Sequence, residues 1–143
     1  MKTVFGIAAV VAILIASNST PLIAQSDTYV VVANKQLKGN SIDKTALKGI
    51  YLRELLTWGN DGGEIIPVDL ANASSFYQNL FGKSSVQMQA YWLNMRIKYS
   101  VALPVSKKDP EDVKRFIATN QGAIGFIKSS DLDDRVKVLK ILN

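Results

Sequence analysis

Between Tyr29 and the C-terminus, short β-branched or apolar runs alternate with segments of helical period. That alternation constrains the fold more than any other feature, because consecutive strand and helix units bury their apolar surfaces best as layers around a largely parallel sheet. "YVVVA", residues 29–33, is almost wholly apolar and fits a strand covered on both faces. Ser41 is placed to cap a helix over "SIDKTALKGIYLREL", with Leu47, Ile50 and Tyr51 on one face. "TWGNDGGE" reads as turn, and "IIPVDL" as a second strand whose Pro67 argues for an edge or a strand end. A helix from Ser74 to Phe81 stops at Gly82. Ser84 and Gln87 form a capping box that opens a longer helix to about Tyr99. In that helix Val86, Ala90, Leu93 and Ile97 make one apolar stripe, which Tyr91, Trp92 and Met95 widen. "LPVS" is a short extended piece. Asp109 caps the next helix, Pro110 suits its first position, and Gly122 reads as its stop. "AIGFI" and "VKVLKI" are the last two strands, and Gly125 in the first of them allows a close backbone approach. The expected fold is α/β, a single compact domain with a mixed, partly parallel sheet flanked by helices.

The chain has 143 residues, and its start has the layout of an exported protein's leader. Lys2 precedes an apolar run from Val4 to Ala16, about 13 residues, short of the ~20 that span a bilayer. Cleavage is expected after Ala24, which leaves one domain over 25–143 with a net charge near +4 once Lys2 is removed. Membrane contact is then expected only through the signal peptide, and the periplasm is the expected compartment, with secretion as the alternative. The basic residues are scattered, with no basic stripe interleaved with aromatics, so nucleic acid is not an expected partner.

The chain contains no Cys and no His. Disulfides, Ser-His-Asp and Cys-His catalysis, and Zn or Cu sites of ordinary composition are thereby excluded. "NDGGE" and "DLDD" lack the ligand spacing of a Ca²⁺ loop, so no metal and no cofactor are expected. "SIDK", residues 41–44, matches S-x-x-K, but the S-D-N and K-T-G elements that accompany it in serine acylases are missing. No catalytic residue is assigned, and the chain is not expected to be an enzyme.

In order, "LKGIYLRELLTW", "GGEIIPVDL", "SSFYQNLFG", "YWLNMRI" and "NQGAIGFI" resemble the periplasmic phosphate-binding proteins of ABC transporters, above all their short single-domain relatives. The resemblance runs from Tyr29 to Ile127 and is most specific at "QGAIGF" with the upstream Trp58. It implies a type II periplasmic-binding-protein-like fold, non-covalent binding of a small oxyanion, phosphate or sulfate, a part in ABC-transporter-linked uptake, and an ABC permease or another envelope protein as partner. The chain departs from the family pattern at three places. "DLANASS" carries Asp69 where a basic residue would assist an anion, Arg53-Glu54 stands for Gly-Lys, and Phe126 stands for Tyr. The alternative that follows is a fold that has lost its ligand and serves as a protein-interaction module in the envelope.

Four residues are candidates for the ligand. Ser74 and Ser75 open a helix just beyond a strand's C-terminal end, where free N–H groups, the helix dipole and hydroxyls together suit an anion. Ser74 serving only as a helix cap is the competing reading. Asn34 follows the first strand and Ser106 precedes the Asp109 helix, so both could line the same cleft, with ordinary turn and loop hydrogen bonding as the alternative. Trp58 and Trp92 flank apolar stripes and are expected in the core.

Overall fold

The computed structural model describes residues 28–60 and 62–143. The expected signal peptide over 1–24 lies outside the described residues. In chain order the elements are β1 (Tyr29–Ala33), β2 (Ser41–Asp43), α1 (Lys44–Tyr51), β3 (Ile66–Leu70), α2 (Ser74–Phe81), α3 (Ser85–Tyr99), β4 (Val105–Lys107), α4 (Pro110–Thr119), β5 (Ala123–Lys128), a single 3₁₀ turn (Ser129–Asp131) and β6 (Lys137–Leu142). The six strands form one sheet in the order β2-β6-β1-β5-β3-β4. β3 runs parallel to both β4 and β5, and β2 runs parallel to β6, whereas β1 is antiparallel to β5 and to β6. The sheet is therefore mixed, with one reversed strand at its centre. The parallel part is the part linked through helices, as a parallel return requires a long crossover.

Alternation along β5 shows the layers. Phe126 meets Tyr51 of α1 and both Phe76 and Tyr77 of α2. At the preceding residue, Gly125, an added Cβ would come 3.0 Å from Ile117 Cδ1 and 3.4 Å from Val113 Cγ1, both on α4. Successive strand residues face opposite sides, so α1 and α2 cover one face and α4 the other. The centre of the first layer is aromatic. Phe126 stacks on Phe76 at 3.7 Å between centroids, and Tyr29, Tyr51 and Tyr77 surround the pair edge-on. Trp92, on α3, extends this cluster by meeting Tyr77 edge-on, and its indole N–H donates to the Tyr51 carbonyl at 2.7 Å. Tyr91 donates to the Leu52 carbonyl at 2.8 Å. Both aromatics occupy carbonyls at the C-terminal end of α1 that its own turns leave free, so α3 is fastened outside α1 and α2 rather than against the sheet.

Four local readings change. Ser41 is not a helix cap. It lies in β2, because Ile42 gains burial by pairing with Ile141 of β6, and the helix starts at Lys44. Gly122 is not a helix stop either, since α4 ends at Thr119 with Asn120 in an extended conformation. Its reason is a close approach: a Cβ there would lie 2.0 Å from the Glu64 carbonyl oxygen. Pro67 sits in an interior strand, but at a level that β4 does not reach, since β4 pairs only from Val68 onward. The absent N–H is needed by no neighbour there. Finally, Val86, Ala90, Leu93 and Ile97 of α3 face solvent, while Met88 and Trp92 are buried and Tyr91 and Met95 are half-buried.

Candidate functional site

The strand directions sort the four candidate residues between the two ends of the sheet. Leu70 ends β3, Lys107 ends β4 and Lys128 ends β5, and these three parallel strands finish at one end. The loop 71–73 leaves β3 there and enters α2 at Ser74 and Ser75. Ser106 is in register with Asp69 on the neighbouring strand, and the Ala71 amide donates to the Lys107 carbonyl at 2.9 Å. Ser74, Ser75 and Ser106 are thus gathered at one end. Asn34 follows Ala33, which is in register with Ile124 near the start of β5. The reversal of β1 carries Asn34 to the opposite end, so the expectation that it shares a cleft with the serines does not hold.

The serine end has donors to spare. Ala73 precedes α2 and can offer no side-chain cap, so the Phe76 amide turns back to the Ala73 carbonyl at 3.1 Å and no side-chain oxygen meets the Ser74 and Ser75 amides. Asn72 takes a left-handed φ of 60°, a conformation asparagine tolerates well. The hydroxyl of Ser74 lies 2.9 Å from that of Ser85 and accepts the Ser85 amide at 3.1 Å, so it stitches α2 to the start of α3. Ser75 and Ser106 are exposed, and neither side chain has a hydrogen-bond partner among the described residues. Three lysines stand at the same end: Lys107 and Lys128 at strand termini, and Lys108 beside them. Lys107 holds its ammonium 4.9 Å over the Phe116 ring. Sequence reading did not single these lysines out. Their signal was positional, a lysine closing each of two parallel strands, and it becomes visible only once the strands are aligned.

At the Asn34 end the polar groups are spoken for, although a hollow of about 490 Å³ opens there between Gln36, Leu37, Lys38, Trp58, Gly62 and Gln121. Asn34 is buried, and its side-chain amide donates to the Ile117 and Ala118 carbonyls at 2.8 and 3.2 Å. Its side-chain oxygen accepts the Gln36 amide at 2.9 Å. The residue fastens the last turn of α4 to the end of β1. Trp58 lines that hollow and donates its indole N–H to the Gly122 carbonyl at 3.0 Å.

Beneath the serine loop lies the residue that most opposes an anion by sequence. Asp69 is buried, 5% exposed, and its carboxylate accepts a 2.5 Å hydrogen bond from the Tyr77 hydroxyl of α2. Burial raises the Asp69 pKa, and the Tyr77 hydrogen bond offsets only part of that shift. Burial also pushes the Tyr77 phenol far up, as it does that of Tyr51, whose hydroxyl donates to the Val68 carbonyl at 2.8 Å. The acid is thus held inward against α2, with its charge disfavoured. Arg53, on the far side of α1, takes a left-handed φ of 58° and donates through Nε to the Ala102 carbonyl at 2.8 Å. Burial lowers its pKa, and Glu64 opposes that effect.

Among the described residues no group of three or more acidic side chains is arranged to hold a metal ion. No helix among them is long and apolar enough to cross a membrane. A cavity of about 440 Å³ opens between Tyr29, Lys44, Leu47, Phe76, Leu80 and Ile141, away from Ser74 and Ser75. The serine end itself is an open surface, with donors on one side only.

No protein-family model and no curated protein matches the chain. Solved structures do. An ABC-type phosphate transport receptor from Vibrio cholerae is 19% identical, over 80% of this chain and 46% of that one, with a TM-score of 0.56. A putative phosphate ABC transporter substrate-binding protein from Clostridium perfringens, solved with bound phosphate, is also 19% identical, over 80% and 45%, with a TM-score of 0.57. A possible phosphate-binding protein from Planctomyces limnophilus is 15% identical, over 82% and 42%, with a TM-score of 0.61. The chain spans less than half the length of each of these three. What is shared at this identity is the fold, a mixed α/β domain of the periplasmic-binding-protein type.

Proposed function

We propose that this domain, which carries the fold of phosphate substrate-binding proteins, is itself a small oxyanion-binding domain holding phosphate non-covalently at the start of α2. One observation carries the reading. The Ser74 and Ser75 amides at the start of α2, which has no side-chain cap, and the unspent hydroxyls of Ser75 and Ser106 stand at the end of the sheet where β4 and β5 finish in lysines. Amides at a helix N-terminus and the helix dipole favour an anion, and hydroxyls add donors of the same kind. Inward-facing Asp69, bonded to Tyr77, removes the one acidic obstacle from the loop.

The binding is weak. The site is open on one side, and exposed charge contacts are screened by salt and return little energy. A dissociation constant near a millimolar is expected at physiological salt. Export by a signal peptide over 1–24, a periplasmic location and supply of the anion to an ABC permease complete the proposal. The leader-like layout of the first residues supports export, and the resemblance in sequence with the names of the structural relatives supports the transporter link. Those relatives are transport receptors and binding proteins, which supports a role without catalysis.

Calorimetric titration with phosphate tests it. Heat that saturates in the millimolar range, and falls at least several-fold in affinity for Ser75→Ala with Ser106→Ala, is the expected result. No heat up to 20-fold above that range, about 20 mM, would overturn the reading. Sulfate titrated in parallel decides between the two oxyanions. A second reading, an envelope interaction module on the same fold, is favoured by the outward apolar face of α3.

A further inference from the structure

Helix α3 is apolar on two opposite sides. Its inner side, Met88 and Trp92 with Tyr91 and Met95, packs on α1 and α2. Val86, Leu93 and Ile97 lie on the other side and are 74%, 53% and 72% exposed, with Ala90 exposed between them. At about 100° per residue the two sets stand half a turn apart. An apolar stripe exposed along a surface helix marks a face built to be covered, yet the described residues cover only the inner side of α3.

We infer that the outer face of α3 is a self-association surface, on which two copies of this chain pair through antiparallel α3 helices about a two-fold axis. The spacing supports it: 86, 90, 93 and 97 are separated by four, three and four residues, the 3.5-residue period of a two-helix seam. The seam is about 17 Å long. Polar residues border it on both sides, Gln87 and Asn94 on one, Gln89 and Arg96 on the other, which gives it the apolar centre and polar rim of an interface.

Charge sets the orientation. α3 has no acidic residue and carries Arg96 and Lys98 in its last turn. A parallel pair would bring these cations together with their counterparts and align the helix dipoles unfavourably. The antiparallel pair places Val86 opposite Ile97 and Ala90 opposite Leu93, and it brings Arg96 to the partner's Gln87. A two-fold arrangement of this kind closes on itself. The four side chains offer on the order of 500 Å² per copy, toward the ~600–800 Å² per partner of a specific interface. Because α3 is already held by Trp92, Tyr91 and its capping box, association does not have to pay for helix formation. The resulting dimer is of micromolar class, and it is independent of whether the domain binds phosphate.

The test is sedimentation equilibrium of the full chain from about 1 to 300 μM, around the expected micromolar constant. A monomer–dimer equilibrium is expected, and Leu93→Glu with Ile97→Glu should raise the dissociation constant at least 100-fold. The far-UV spectrum and melting temperature of that variant should match those of the parent, since both positions are mostly exposed. The chain lacks cysteine, so single cysteines report the register. A short bis-maleimide should join Val86→Cys protein to Ile97→Cys protein, and should not join Val86→Cys protein to itself. A monomer at 300 μM, or self-linking at position 86 in preference to the mixed pair, would overturn the inference. Co-sedimentation of a monomer with anionic phosphatidylglycerol vesicles, lost in the double glutamate variant, would also overturn it and reassign the face to a membrane surface.

Discussion

The two ends of the sheet present similar chemistry and opposite bookkeeping of hydrogen bonds. At one end Asn34, Trp58 and Gly122 are polar or tightly turned, and their groups are spoken for: Asn34 holds α4, Trp58 holds the Gly122 carbonyl, and Gly122 admits Glu64. At the other end the side chains of Ser75 and Ser106 have no partner within the described residues, and the start of α2 has no side-chain cap. A polar residue after a strand therefore says little about binding. What separates a structural polar group from an available one is whether its donors and acceptors are already used, because a buried unpaired group costs energy and the fold fills it.

The contrast can be broken or sharpened by substitution. The largest effect is expected from Gly122→Ala at the Asn34 end. Its Cβ would meet the Glu64 carbonyl at 2.0 Å, contact with backbone that cannot move aside cheaply. A loss of about 3 kcal/mol or more in chemical denaturation is expected; a neutral outcome would show that this end is looser than it looks. Asn34→Ala comes next, at about 2 kcal/mol, since it strands the Ile117 and Ala118 carbonyls and the Gln36 amide. Phosphate heats per mole of folded protein should be unchanged in both variants, and a loss of binding in Asn34→Ala would erase the distinction between the ends. At the open end, Ser75→Ala with Ser106→Ala should leave stability within about 0.5 kcal/mol. The same pair should weaken phosphate roughly tenfold, the effect of about one hydrogen bond.

The smallest effect concerns pH. Asp69 has a raised pKa in the folded chain, so the native state holds its proton more tightly than the unfolded state does. Stability then falls as pH rises from the ordinary carboxylate value through the raised one, and Asp69→Asn should abolish that fall. Glu111 and Asp133 behave in the opposite sense. Ion pairs and hydrogen bonds with Lys114 and Arg135 depress their pKa values, so their contribution is complete above the ordinary carboxylate range and is lost as pH falls through the depressed values. Denaturation midpoints measured from about pH 1.5 to 8 separate the two groups, because their windows lie on either side of the unfolded-chain value. An unchanged midpoint profile for Asp69→Asn would show that its proton is not coupled to folding.

Much of the architecture was legible in the residues. The apolar runs at 29–33 and 123–127, the capping box at Ser84 and Gln87, the Asp109 cap and the Gly82 stop are local signals that the structure honours. The misreadings share one cause. Ser41 became strand because β6 lies beside it, and Gly122 is glycine because Glu64 crosses it. The stripe on α3 was real, but the face that α1 and α2 cover is the other one. In each case the partner is distant in sequence, and periodicity contains no term for it. The same holds for the site: the helix start at Ser74 was legible, whereas the separation of Asn34 from the serines follows from the reversed strand.

By itself, then, the sequence determined most of the strands and helices, where most of them begin and stop, and that imidazole, thiol and disulfide chemistry are absent. These are properties of neighbouring residues and of composition. Tertiary structure alone decided the direction of β1, the inward turn of Asp69 toward Tyr77, and which side of α3 is left bare. Those outcomes depend on which surfaces meet across the fold, and the free energy of such contacts belongs to pairs of residues far apart in the chain.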